Sequence, residues 1–209
     1  MLILCALGGY LIGSIPFGLV LCYLAGYGDI RKIGSGNIGA TNVLRTGNKW
    51  LALFTVLLDA FKAGIAAFAA YKLLPQTPSV NFLGMTSDYN VLAALIVGTC
   101  AILGHNFPIW LMFKGGKGVA SSFGFILMTQ PLVALSAFGI WLIMAFAFRY
   151  SSLAALTAAV AVPVIAFFMC PPIYAVFYTG IALLVIVRHH ANIGRLLKGE
   201  ESKISFKKK

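Results

Sequence analysis

Acid is the scarcest chemistry in this chain. Of 209 residues only Asp29, Asp59, Asp88, Glu200 and Glu201 carry a carboxylate. No acidic cluster is spaced to hold Mg²⁺ for a CDP-alcohol phosphotransferase, or to hold a pair of metals. Acyl transfer of the H-x-x-x-x-D kind is excluded as well: five positions beyond His105, His189 and His190 stand Trp110, Gly194 and Arg195. A Ser-His-Asp relay is poorly supplied for the same reason. Cysteine is sparse too. Cys5, Cys22, Cys100 and Cys170 lie in or beside apolar runs without C-x-x-C spacing. That pattern excludes a zinc knuckle or a disulfide framework and leaves small packing residues. No metal and no cofactor is expected.

Charge of either sign is low, at 10% of residues against 60% hydrophobic, where a soluble domain carries about 25% charged residues. Such a chain is solvated mostly by lipid, and a single transmembrane domain over residues 1–209 is expected. The formal net charge of +11 raises the question of nucleic acid. The basic residues, however, sit between apolar stretches, where membrane lipid rather than nucleic acid is the partner.

At about 20 apolar residues per helix, candidate spans run roughly over 2–24, 50–74, 91–113, 117–129, 131–149, 151–170 and 172–188. The expected fold class is all-α, a polytopic integral membrane protein with seven transmembrane helices. The fourth span is short, and a re-entrant segment is the alternative. Charge tests that choice. Arg31, Lys32, Arg45 and Lys49 follow the first span, Lys114 and Lys117 the third, and Arg149 the fifth. Arg188, Arg195, Lys198, Lys203, Lys207, Lys208 and Lys209 follow the last. The connections at 75–90, 130–131 and 171–172 carry no basic residue. Of the 16 Lys and Arg residues, only Lys62 and Lys72 stand outside this alternation. Basic residues gather on the cytoplasmic side, so the N-terminus is expected outside and the C-terminal tail in the cytoplasm. A re-entrant fourth segment would reverse every side after it.

Inside the second span, Asp59 and Lys62 stand three residues apart and share a helix face. Ionisable groups within a span face the bundle interior. A structural ion pair and a substrate-gating role both fit them.

Three polar islands fall on the expected cytoplasmic side. In the first, Gly34, Gly36 and Gly39 allow close backbone approach and expose N–H donors. Ser35, Asn37, Thr41 and Asn42 add neutral hydrogen-bonding groups, and Arg45 adds a planar fork matched to phosphate oxygens. The second joins Gly104-His105-Asn106-Phe107-Pro108 to Lys114-Gly115-Gly116-Lys117-Gly118. It is similar to a phosphate-cradling loop at a helix N-terminus. It is not a Walker A loop, because Gly118 follows Lys117 where Ser or Thr is required. Lys117 serves as a point charge, Lys114 suits lipid headgroups, and His105 fits a helix end or a ligand contact. The third island offers Arg188, His189, His190, Asn192 and Arg195, with His189 and Asn192 on one helix face. Adjacent His189 and His190 point to different faces, which argues against a metal site. Cations and amides gathered at one interface predict an anionic, phosphorylated substrate.

The runs Gly34–Arg45 (GSGNIGATNVLR), GHNFP with FKGGKGVA, RYSSLA at 149–154 and RHHANIGRLLKGE together resemble the bacterial acyl-phosphate:glycerol-3-phosphate acyltransferase family, PlsY. The resemblance runs through essentially the whole chain in the same order. It implies transfer of a fatty acyl group from acyl phosphate to the 1-hydroxyl of glycerol 3-phosphate, giving lysophosphatidic acid and phosphate in phospholipid synthesis. It implies a multi-pass protein of the bacterial cytoplasmic (inner) membrane, with its site facing the cytoplasm. The upstream acyl-phosphate-forming enzyme becomes a possible partner. Ser35, Arg45, Lys117, His189 and Asn192 are the implied catalytic residues. Gly36, Asn37, Gly39, Thr41, Asn42, His105, Gly116, Gly118, Ser152 and Arg195 are implied to bind substrate. Two rival readings fit parts of the pattern. A carrier of phosphorylated metabolites would need broken helices or inverted repeats with a midplane site, and a lipid-binding scaffold would leave the Gly/Asn loops without purpose.

Overall fold

The computed structural model of the chain describes residues 1–204, so the expected tail cations Lys207, Lys208 and Lys209 lie outside the described residues. The chain forms two compact units, Met1–Thr129 and Gln130–Lys209.

The first unit holds α1 (Leu2–Gly13), α2 (Phe17–Leu24), a short α3 (Ala40–Val43), α4 (Lys49–Leu73), α5 (Tyr89–Asn106) and α6 (Val119–Thr129). Asn48 starts α4 by accepting the N–H groups of Trp50 and Leu51, both at 3.1 Å, as an N-cap should. Helix α4 packs against α5 and α6, and α1 packs against α5. The contacts use small residues. On α4, Ala63, Ala66, Ala67 and Ala70 are buried, while Phe54, Phe61, Ile65 and Phe68 are exposed. Large apolar side chains outside and small ones inside is the arrangement lipid favours, since backbone proximity and not water exclusion holds the helices together. Gly64 lies against the backbone of Gly124, where an added Cβ would meet the Gly124 carbonyl oxygen at 2.6 Å.

The first expected span holds as Leu2–Leu24, with its helix broken between Gly13 and Phe17, at Ser14-Ile15-Pro16. Pro16 has no N–H and disfavours helical geometry at Ile15. The carbonyl of Ile15 finds a partner in the ammonium of Lys62, 2.9 Å away, as exposed backbone within a membrane requires. One expectation needs correction: the all-α reading misses a hairpin in the 75–90 connection. Strands β1 (Ser79–Phe82) and β2 (Met85–Asp88) pair antiparallel, with Val80 opposite Ser87 and Phe82 opposite Met85.

The second unit comprises α7 (Pro131–Phe148), α8 (Ser151–Met169), α9 (Pro172–Arg188) and α10 (His190–Leu197). Pro131 and Pro172 occupy first-turn positions, where the missing N–H costs nothing. Helix α8 packs against both α7 and α9. Helices α9 and α10 meet at His189 with a bend of 59°.

Among the described residues, five helical stretches are long and apolar enough to cross a membrane, or six if the bent α9–α10 pair counts as one. Helix α6, placed in the short fourth span, has 11 residues. At 1.5 Å per residue it reaches about 16 Å, against a hydrocarbon core of about 30 Å.

Candidate active site

The first polar island folds around a single side chain. Asn42 is 1% exposed. Its Nδ2 donates to the carbonyls of Ile30, Ile33 and Asn37, at 2.9, 3.0 and 2.9 Å. Its Oδ1 accepts from the N–H of Ser35 at 3.0 Å, from the Ser35 hydroxyl at 3.3 Å and from Arg45 Nη1 at 3.4 Å. Expected among the groups that touch substrate, Asn42 is instead enclosed by its own loop, whose shape it sets. Ile30 and Val43 pin the loop from below, in a cluster with Cys22 and Ala52. Gly34 has φ of 56° and Gly36 of 70°, left-handed values that favour glycine. The space beside Gly34 is filled by the Arg45 guanidinium. Ser35, Gly36, Thr41 and Arg45 are exposed at the loop surface, with Asn37 and Gly39 half-buried. Asn37 turns its Oδ1 to the N–H of Ile38 at 3.0 Å.

Arg31 is drawn away from this cluster. It forks onto Asp29, with Nε to Oδ1 at 2.9 Å and Nη2 to Oδ2 at 2.7 Å. The side-chain and backbone hydrogen bonds from Arg31 bring the Asp29 pKa down to about 2.

The second island is built on the end of α5. The N–H of Gly116 donates to the carbonyl of His105 at 3.0 Å, and that of Gly115 to the carbonyl of Asn106 at 3.2 Å. His105 and Asn106 are buried, as are Gly116 and Gly118, while Lys117 between them is half-buried. Gly118 has φ of 81° and lies beside the Asn106 amide. The loop then enters α6, giving the Gly-rich turn and helix start that the sequence predicts.

Asp59 and Lys62 pair across one helix turn at 2.8 Å, as their spacing predicts. The sequence did not reveal that His105 joins them. Its Nδ1 lies 2.9 Å from Lys62 Nζ and 3.5 Å from Asp59 Oδ1.

In the second unit, His189, Asn192 and Ser152 are buried. His189 Nδ1 is 2.7 Å from the carbonyl of Val185. A carbonyl only accepts, so Nδ1 carries a proton, and in the neutral ring the lone pair is on Nε2. Glu201 organises the rest. Its Oε1 accepts from the Ser152 hydroxyl at 2.7 Å and from Asn192 Nδ2 at 2.6 Å, and its Oε2 pairs with Arg195 Nε at 2.6 Å. Burial alone would raise the Glu201 carboxyl. The hydrogen bonds from Ser152, Asn192 and Arg195, with the Arg195 charge, outweigh it and hold the pKa below the ordinary 4.5. Sequence reasoning missed Glu201, which looks like one acid in a basic tail.

Fold and residues together define a helical integral membrane protein whose polar loops carry cations and amides suited to phosphate. Comparison with known proteins narrows the class. The family model for glycerol-3-phosphate acyltransferase matches residues 3–199. The glycerol-3-phosphate acyltransferase of Rhodospirillum rubrum is 55% identical over 205 residues, 98% of this chain and 92% of that one. The Mesorhizobium japonicum enzyme of the same name is 53% identical over 206 residues, 99% and 97% of the two chains. Among solved structures, PlsY, an integral membrane glycerol 3-phosphate acyltransferase in its glycerol 3-phosphate form, superposes with a TM-score of 0.86 at 36% identity. That match covers 98% of this chain and 96% of the other. PlsY in its lysophosphatidic acid form gives a TM-score of 0.84 at 35% identity over 98% and 95%. The chain belongs to the glycerol-3-phosphate acyltransferase family and is an enzyme.

Proposed function

We propose that this chain moves a fatty acyl group from acyl phosphate to the 1-hydroxyl of glycerol 3-phosphate, releasing lysophosphatidic acid and phosphate. The observation that carries the reading is the likeness, along nearly the whole chain, to PlsY in a glycerol 3-phosphate form and a lysophosphatidic acid form. The residue inventory agrees with it. Acyl phosphate is a mixed anhydride with a good leaving group, so a protein nucleophile is not needed. The hydroxyl oxygen attacks the acyl carbonyl carbon, the bond from that carbon to the phosphate oxygen breaks, and phosphate departs. Positioning and charge stabilisation supply the catalysis.

In this reading the loop bearing Ser35, Gly36, Asn37, Gly39 and Thr41 receives the acyl-phosphate head, and Asn42 holds that loop in shape. Arg45 and Lys117 balance phosphate charge, with Gly116, Gly118 and His105 building the turn around Lys117. His189 and Asn192 position glycerol 3-phosphate, and Ser152 and Arg195 support them through Glu201. The hydroxyl proton passes to a substrate phosphate oxygen. One observation favours His189 as a second acceptor: with Nδ1 donating to Val185, the neutral ring presents Nε2 as its basic nitrogen.

The charge alternation supports seven membrane crossings with α6 as the fourth, the N-terminus outside and the tail and active residues facing the cytoplasm. The membrane is then the bacterial inner membrane, and the enzyme that forms acyl phosphate is the upstream partner. Purified protein in detergent, given acyl phosphate and glycerol 3-phosphate, should release lysophosphatidic acid and phosphate without any vesicle boundary. A carrier of phosphorylated metabolites would yield neither product, and that result would overturn the reading.

A further inference from the structure

Asp59 and Lys62, buried against His105, have no part in the chemistry above, yet ionisable groups at this depth are expensive to keep. An ammonium has three protons and no lone pair. Lys62 Nζ hydrogen-bonds the Ile15 carbonyl at 2.9 Å and His105 Nδ1 at 2.9 Å, and pairs by charge with Asp59 Oδ1 at 2.8 Å. The ammonium paired with Asp59 can only donate, so His105 Nδ1 accepts from it. The single proton of the neutral ring then sits on Nε2. The other arrangement, an imidazolium donating from Nδ1 to Asp59, has only a 3.5 Å approach. It would also set two cations 2.9 Å apart, both leaning on the one Asp59 oxygen.

The protonated edge of the ring faces the second island. His105 Nε2, Cε1 and Cδ2 fill the space that a Gly116 Cβ would take. The same residue also accepts the Gly116 N–H through its main-chain carbonyl. The turn carrying Lys117 is therefore built on His105 at both backbone and ring.

We infer that Lys62 is a positioning residue: it holds His105 in the Nε2–H tautomer, and that ring sets the Gly115–Gly118 turn in which Lys117 meets phosphate. The inference rests on the acyltransferase reading. Packing alone does not account for the trio, since a buried ion pair is replaceable by apolar residues of similar bulk at little or no loss of stability. Apolar residues could not select a tautomer.

The test uses the full-length protein in detergent. The double variant Asp59→Asn/Lys62→Met removes both charges while keeping bulk. It should melt near wild type, raise about tenfold the KM for the substrate whose KM Lys117→Ala also raises, and change kcat about threefold or less. Adding His105→Gln should restore much of that KM, because a glutamine amide nitrogen overlies Nε2 and donates in every state. A double variant with both KM values at wild-type level, or a triple variant with no recovery, overturns the inference. A double variant that fails to fold is answered by nitrogen-15 NMR of histidine-labelled wild type. Its three histidines are assigned with the single variant His105→Gln, and a proton on His105 Nδ1 overturns the inference equally. If wild type itself makes no lysophosphatidic acid, the functional reading fails instead. Active wild type with an unaffected double variant defeats this inference alone.

Discussion

Asn192 Nδ2 donates to Glu201 Oε1 at 2.6 Å, across nine residues of chain. The carboxylate fixes which way the amide faces and binds Ser152 and Arg195 in the same contact. Glu201→Ala should therefore act on stability first. Charge-assisted hydrogen bonds are individually worth about 1.5–3 kcal/mol, and a partly exposed guanidinium adds less. A melting temperature lower by about 5 °C is expected, with Glu201→Gln between the alanine variant and wild type. A melt of Glu201→Ala that coincides with wild type would remove Glu201 from its organising role.

The same carboxylate predicts a pH dependence. Its folded pKa lies below the ordinary 4.5. A depressed carboxylate contributes its full stabilisation above the unfolded value and loses it as pH falls through the folded one. The melting-temperature gap between wild type and Glu201→Gln should be flat above the unfolded value, near 4.5, and close as pH falls from there through the folded one. A gap that widens on acidification would contradict the direction of the shift.

Asn42 predicts an order of severity that a surface ligand would not give. Asn42→Ala strips partners from the carbonyls of Ile30, Ile33 and Asn37 and from the Ser35 N–H. Asn42→Asp matches the shape but turns an acceptor toward three carbonyls, and should do at least as much harm. Both should lower kcat/KM at least about a hundredfold, since buried groups left without partners cost about 1–3 kcal/mol each. Proteolysis should open the 34–45 loop in both. Near-normal kinetics in Asn42→Asp would show that the amide donors do not hold the loop.

His189 separates two routes for the proton. With a phosphate oxygen as acceptor, His189→Ala should raise the KM for glycerol 3-phosphate about tenfold and lower kcat less than about a hundredfold. A larger fall in kcat with both KM values unchanged would instead make Nε2 the base.

How much of this was legible in the sequence depends on distance along the chain. Five of the spans, or six with the bent α9–α10 pair, are written in local composition and the Asp59–Lys62 pair in helical spacing, so these could be read directly. His105 lies 43 residues from Lys62, and only the packing of α4 on α5 brings them together. The break at Pro16 had a signal, proline itself, but the unbroken apolar run around it concealed the bend. The hairpin was hidden by its turn. Leu83 and Gly84 take φ of 52° and 81°, positions where Asn-Gly is the usual mark, and a leucine there gives no warning. Glu201 acts through three partners that only the fold assembles, so no spacing rule could find it.

The sidedness of the first unit is open to a direct chemical test. In the proposed topology the alternation of basic loops places the 79–88 hairpin outside and the 34–45 loop in the cytoplasm. Thr86 and Thr41 are both exposed, so a cysteine at either would be reachable from its own side. In a background with Cys5, Cys22, Cys100 and Cys170 replaced, Thr86→Cys should react with a membrane-impermeant maleimide in intact cells whose outer barrier has been opened. Thr41→Cys should react only after the inner membrane is permeabilised. Labelling of Thr41→Cys from outside, with Thr86→Cys protected, would invert the proposed topology and move the loops proposed to bind phosphate away from a cytoplasmic supply of substrate.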